Sequence, residues 1–155
     1  MLASLTLIVA GSAAACVRTS PSPLATSLEV ALSSAKAGAR PVAVTLKVHA
    51  ELQCGRLTGG ALVFRFPAAE RLPARMAGGD VKIAGQPVKA VAVHGRDVTI
   101  TPRPRTGVMC DVIAPGTVPI VLTKPANVGN PAASGLYTVS LVRGRTATSA
   151  HFRIR

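Results

Sequence analysis

Few side chains in this chain are equipped for chemistry, and their spacing does not join them. It has six carboxylates: Glu29, Glu51, Glu70, Asp80, Asp97 and Asp111. Acid–base work of the glycosidase kind needs two carboxylates facing one bond. Nothing in the spacing singles out such a pair. With 18 Lys and Arg against 6 Asp and Glu, ion pairing with the surplus cations is the simpler role. There is no phosphate-cradling glycine loop, no Gly-x-Ser-x-Gly elbow and no His-Glu-x-x-His helix. His49, His94 and His151 could meet on a metal only by convergence in space, since no two have ligand spacing. Met76 and Met109 could add thioether ligands for copper in an exported protein. Filling gaps in a core is the ordinary work of such residues. The expectation is a chain with no catalytic residue, no metal ligand and no cofactor.

The three cysteines carry more information. Residues 2–15, LASLTLIVAGSAAA, form an apolar stretch with a small-residue end. It is too short to span a bilayer as a helix, and it suits the apolar region and cleavage site of a secretory signal. No Lys or Arg precedes the run, which is a departure from that pattern. Ser12-Ala13-Ala14-Ala15-Cys16 resembles a bacterial lipobox, with Ala13 where the pattern prefers Leu. That resemblance implies lipidation at Cys16; plain secretion stays open beside it. Residues 16–26 include VRTSPSPLAT, an extended tether by composition. Residues 27–155 then form a single domain. Lipidation or cleavage at Cys16 leaves Cys54 and Cys110, and in an oxidising compartment a disulfide between them is the expected state. Closing a loop of that length stabilises by roughly 4 kcal/mol on the chain-entropy estimate.

Charge is the functional lead. The net charge is +12, a field that attracts polyanions. Lys47, Arg65, Arg143, Arg145, Arg153 and Arg155 fall on outward strand positions or at turns, and Arg103 and Arg105 form a separate basic loop. With no Trp, one Tyr and three Phe, the chain lacks the stacking platforms of nucleic-acid binders, and export removes it from the genome. The expected partners are an anionic polymer or lipid surface of a bacterial envelope, or another envelope protein. Contact with a membrane would come only through the lipid anchor. A periplasmic or extracellular carrier of a metal ion or small ligand is the alternative.

The elements that position these residues are strands. Alternation with period two recurs from about residue 27: Leu28, Val30, Leu32; Val42 to Val48; Leu62, Phe64, Phe66; Tyr137, Val139, Leu141; Ala150, Phe152, Ile154. Gly and Pro punctuate the rest, with hairpin turns at Ala84-Gly85, His94–Asp97 and Arg143–Thr146. Residues 68–79 have room for one short helical turn. Pro119 predicts that 118–122 is an edge strand. The fold class expected is all-β, an immunoglobulin-like antiparallel sandwich of about seven to nine strands.

From residue 61 onward the chain resembles immunoglobulin-like modules of bacterial secreted and surface-layer-associated proteins. The residues carrying this are ALVFRFP (61–67), DVKIAGQPVKAVAVHGRDVTITP (80–102) and VPIVLTKPANVGNPAASGLYTVSLV (118–142). The closing pattern, a strand, Asn-Pro, a short spacer and Gly-x-Tyr-x-Val, is its most specific part. The resemblance implies a passive spacer or adhesion unit without catalytic residues. The Cys-bearing CGR and MCD segments and the Arg content depart from it. One outcome is expected from the cysteines alone: the mature protein should weigh two hydrogens less unreduced than reduced. Two thiols titrating in the unreduced native protein would exclude the bridge.

Overall fold

The computed structural model describes residues 25–53, 56–57, 60–103 and 113–155. The signal segment, Cys16, Cys54 and Cys110 lie outside the described residues, as do Arg105, Met109 and Asp111.

The described residues form eleven strands, the longer ones by period-two alternation of small aliphatic residues: β1 (Ala25–Leu32), β2 (Val44–Gln53), β3 (Arg56–Leu57), β4 (Leu62–Arg65), β5 (Val81–Ile83), β6 (Gln86–Pro87), β7 (Ala90–His94), β8 (Asp97–Thr101), β9 (Ile113–Leu122), β10 (Gly135–Arg143) and β11 (Thr146–Ile154). All pairs are antiparallel. One sheet runs β1-β2-β9-β5-β6, with β3 on β2; the other runs β11-β10-β4-β8-β7. The expected all-β antiparallel sandwich is what forms. The strand number exceeds seven to nine because two-residue pieces such as β3 and β6 are too short to show a period.

Inward residues of both sheets build one core. Val44, Leu46 and Val48 of β2 and Ile120 and Leu122 of β9 are buried, as are Phe64, Val98, Ile100, Val139 and Ile154 from the other sheet. Polar residues alternate outward along β2 and β11. This follows from the pleat, which sends successive side chains to opposite faces.

One expectation needs correction. The strand holding Pro119 is not at the edge: β9 pairs with β2 over its whole length and with β5 at Ile120–Leu122. Proline is tolerated because the Pro119 carbonyl accepts from Ala84 N–H at 2.9 Å, on the β5 side. Its missing N–H therefore points away from the long β2 ladder, at the place where β5 ends. Alternation puts Pro115 on that same side, so both prolines blunt the stretch of β9 that β5 leaves uncovered. Residues 68–79 do reach a short helical turn, at their end. The segment buries Glu70 and Met76 and enters a 3-10 turn at Gly78–Asp80.

The two ends of the sandwich differ. One carries the β10–β11 turn. At the other, called here the loop end, β9 crosses to β10 through residues 123–134 and β1 turns to β2 through 33–43. Asn130 holds these together. Its Nδ2 donates to the carbonyls of Ser34 (2.9 Å) and Lys36 (2.8 Å), and its N–H donates to Ala39. Gly38 N–H reaches Pro131, and Ala37 and Arg155 join the loop to the end of β11. Tyr137 Oη donates to Ala133 at 2.9 Å and its ring lies 6.0 Å from Phe152, pinning the spacer before β10.

The core assignment has a direct test. Phe64→Ala should cost about 3–5 kcal/mol in chemical denaturation. Leu136→Ala, at a 65% exposed position, should stay within about 0.5 kcal/mol. A cost near zero at Phe64 would mean the sheets do not pack as described.

Candidate functional site

Every Lys and Arg among the described residues is exposed. Only Lys47 and Arg65 meet a carboxylate there: Lys47 Nζ lies 3.4 Å from Glu29, and Arg65 makes a bidentate pair with Asp97 at 2.8 and 2.9 Å. These two stand on opposite sheets, Lys47 within β2 and Arg65 at the end of β4 beside the β7–β8 turn. Both carboxyls are held below their usual pKa, Glu29 first by the His49 and Lys47 hydrogen bonds and Asp97 by the Arg65 hydrogen bond. Of the six sequence-predicted cations, Lys47 and Arg65 are thus locally neutralised.

The other four lie on one hairpin but not together. Arg143 and Arg145 flank its turn, where Gly144 takes a φ of 57°. Arg153 and Arg155 lie at its far end, since the register runs from Arg143↔Thr146 to Gly135↔Ile154. At the usual rise per residue, that is roughly 26 Å. The hairpin therefore presents two basic patches.

The patch at the loop end is the larger, and most of it was not visible in the sequence. Arg155 N–H and carbonyl bond Ala35 and Ala37, which sets Lys36 beside it. Arg40 Nε donates to the Asn127 carbonyl and Oδ1 at 3.1 and 2.9 Å. Asn127 suits this place because it tolerates the left-handed conformation, φ 57°, that ends the short turn at Lys124–Ala126. The Arg40 stem runs over Gly129, where a Cβ would stand 3.1–3.2 Å from it. Gly129 in turn exchanges backbone hydrogen bonds with Arg71. A continuous set of main-chain bonds thus strings Lys36, Arg40, Arg71, Lys124 and Arg155 along one end. Beside them is an open groove of about 690 Å³ lined by Ser134, Gly135, Leu136, Arg153, Ile154 and Arg155. Leu136, one of the two exposed large hydrophobics, faces Arg153 across the hairpin.

The histidines do not converge. His49 is on the outer face of the first sheet. His94 and His151 lie on β7 and β11, the two opposite edges of the second. Among the described residues no group of three His, Cys, Asp or Glu could hold a metal ion. His49 does join a row that sequence reasoning missed: Thr117 Oγ1 lies 2.7 Å from His49 Nδ1, and His49 Nε2 lies 3.3 Å from Glu29 Oε1. Hydroxyl, imidazole and carboxylate are the parts of a hydrolytic triad. Here they sit on three neighbouring strands of an open sheet face, and Lys47 also engages Glu29. Glu29 is exposed and His49 only half-buried, so water reaches the row. They serve as cross-strand pairs.

Glu70 is the one carboxylate buried among the described residues, 9% exposed. Neither of its oxygens has a hydrogen-bond partner. Burial alone raises its pKa to about 7.

No family model matches the chain, and no curated protein does. Among solved structures, a match is the crystal structure of BslA, a bacterial hydrophobin. It is 13% identical, with a TM-score of 0.47 over 83% of this chain and 98% of that one. A likeness that distant assigns no role to this chain.

Proposed function

We propose that this chain is a non-enzymatic, exported, envelope-associated β-sandwich module that adheres through its two basic ends to an anionic polymer or headgroup surface of the envelope. The observation that carries this is the charge arrangement. All described Lys and Arg side chains are exposed, and apart from Lys47 and Arg65 none of them has an ion-pair partner among the described residues. Fixed cations without counter-charges hold mobile counterions, and a polyanion gains by displacing them. The resemblance of residues 61–142 to surface-layer-associated modules supports a structural or adhesive role, and the signal-like N-terminus supports export. The carrier alternative finds no support in the His positions, which fall on two sheets and, within the second, on opposite edges.

The test uses soluble polyphosphate and phosphatidylglycerol vesicles as probes. Replacing Arg143, Arg145, Arg153 and Arg155 together by Ser should weaken binding about tenfold or more at low salt. Replacing Lys47 and Arg65 should matter far less, because Glu29 and Asp97 already screen them. Raising ionic strength shortens the reach of these charges, so affinity should fall steeply with salt. Binding that holds constant from low to high salt would refute adhesion by charge.

A further inference from the structure

The loop end contains three buried oxygens without a hydrogen-bond partner among the described residues: Glu70 Oε1 and Oε2, and Asn130 Oδ1. The backbone brings them together. Arg71 and Gly129 form an antiparallel bridge with both hydrogen bonds made, 2.9 and 3.0 Å. The next residues outward, Glu70 and Asn130, are then neighbours across that bridge in its register. The Asn130 amide cannot turn over, because Nδ2 already donates to two carbonyls, Ser34 and Lys36. Its oxygen must face elsewhere, and it needs a donor. Leaving a buried acceptor unmet costs more than a typical hydrogen bond gains.

We propose that Glu70 carries a proton that it donates to Asn130 Oδ1, and that this proton locks the 34–38 loop, with Lys36, onto the end of β11 at the basic patch. A carboxylic acid has one donor and Asn130 Oδ1 lacks one, so the two orphans answer each other. Loss of the proton sets a buried carboxylate against an amide oxygen. Opening the loop then lets both reach water. The direction of the Glu70 shift agrees, since burial favours its neutral form. The charged groups on the surrounding segments are Lys36 and Arg40 of the 33–43 loop, Arg71, Arg75 and Asp80 on the segment of Glu70, Lys124 of the crossover, and Arg155. The β7–β8 turn, whose Arg96 carbonyl accepts from Phe66 N–H, adds His94, Arg96 and Asp97, the last held by Arg65. None gives Glu70 a partner.

The linkage has a definite sign. An acid whose folded pKa is raised stabilises the closed form fully below the pKa of the open form, near 4.5. That advantage is lost progressively up to about 7 and stays lost above. The intrinsic-rate-corrected opening constant of the Ala37, Gly38 and Asn130 amides, read by hydrogen exchange on the intact protein, should therefore rise about fifty-fold from about pH 5 to about pH 7.5. Glu70→Gln keeps a donor without titrating and should make the profile flat. Should that variant not fold, the Glu70 carboxyl carbon of the wild type gives the answer by nuclear magnetic resonance. A midpoint near 7 supports the proposal, and one near the ordinary 4.5 overturns it. Restored protection on adding millimolar calcium at about pH 7.5 would also overturn it, by making the three oxygens a cation site. The claim that the lock governs adhesion rests on the proposed function. Wild-type affinity for polyphosphate should fall more than that of Glu70→Gln over the same range. Equal pH profiles would remove that link while the exchange data still judge the proton. No polyphosphate binding at any pH would defeat adhesion alone.

Discussion

The hydrogen bonds from Asn130 Nδ2 to Ser34 and Lys36 are the constraint on which the loop end depends. Residues 127–131 carry the chain from β9 in one sheet to β10 in the other. Residues 33–43 lie between β1 and β2, and by bonding Arg155 they also reach the end of β11. A single fully buried amide thus fixes the loop of one sheet to the crossover that leads into the second. Without it the Ser34 and Lys36 carbonyls would lose these bonds, Lys36 keeping only the one from Ala39 N–H at 3.2 Å. Gly129 belongs to the same device. A Cβ there would press on the Arg40 stem, which would have to give by a few tenths of an ångström.

The closing pattern Asn-Pro, spacer, Gly-x-Tyr was the most specific feature in the sequence, and the structure gives it physical content. Asn130 is the latch, Pro131 offers its carbonyl to Gly38, and Tyr137 staples the spacer through Ala133. The ring of Tyr137 lies over Gly135, where a Cβ would sit 3.4 Å from it. The strands were legible for a simple reason. Burial on one face imposes period two, and Val42–Val48 and Ala150–Ile154 show it without interruption. Pro119 misled because a proline's tolerance depends on which edge of its strand faces a partner, and one chain's sequence does not state that. The loop-end cations were missed for a related reason. Lys36, Arg40, Arg71 and Lys124 come from three loops with no local pattern, and only backbone pairing collects them. Glu70 read as one more surface carboxylate because nothing in AAERLP marks the side chain that turns inward.

The separation of the charges bears on what kind of ligand they suit. The two hairpin patches are roughly 26 Å apart, about three Debye lengths at physiological salt. They cannot act as one field on a small anion. Nor does either form a pocket, since the groove by Leu136 is open and a small-molecule site encloses most of its ligand. A flexible polyanion has neither difficulty. It can meet each patch separately, and engaging one raises its effective concentration at the other. Neutralisation of Lys47 by Glu29 and of Arg65 by Asp97 lowers the free charge on both sheets, although Lys82 of β5 keeps a charge there that is unpaired among the described residues. On the proposed adhesive reading, the hairpin ends would be the main points of contact with a polymer.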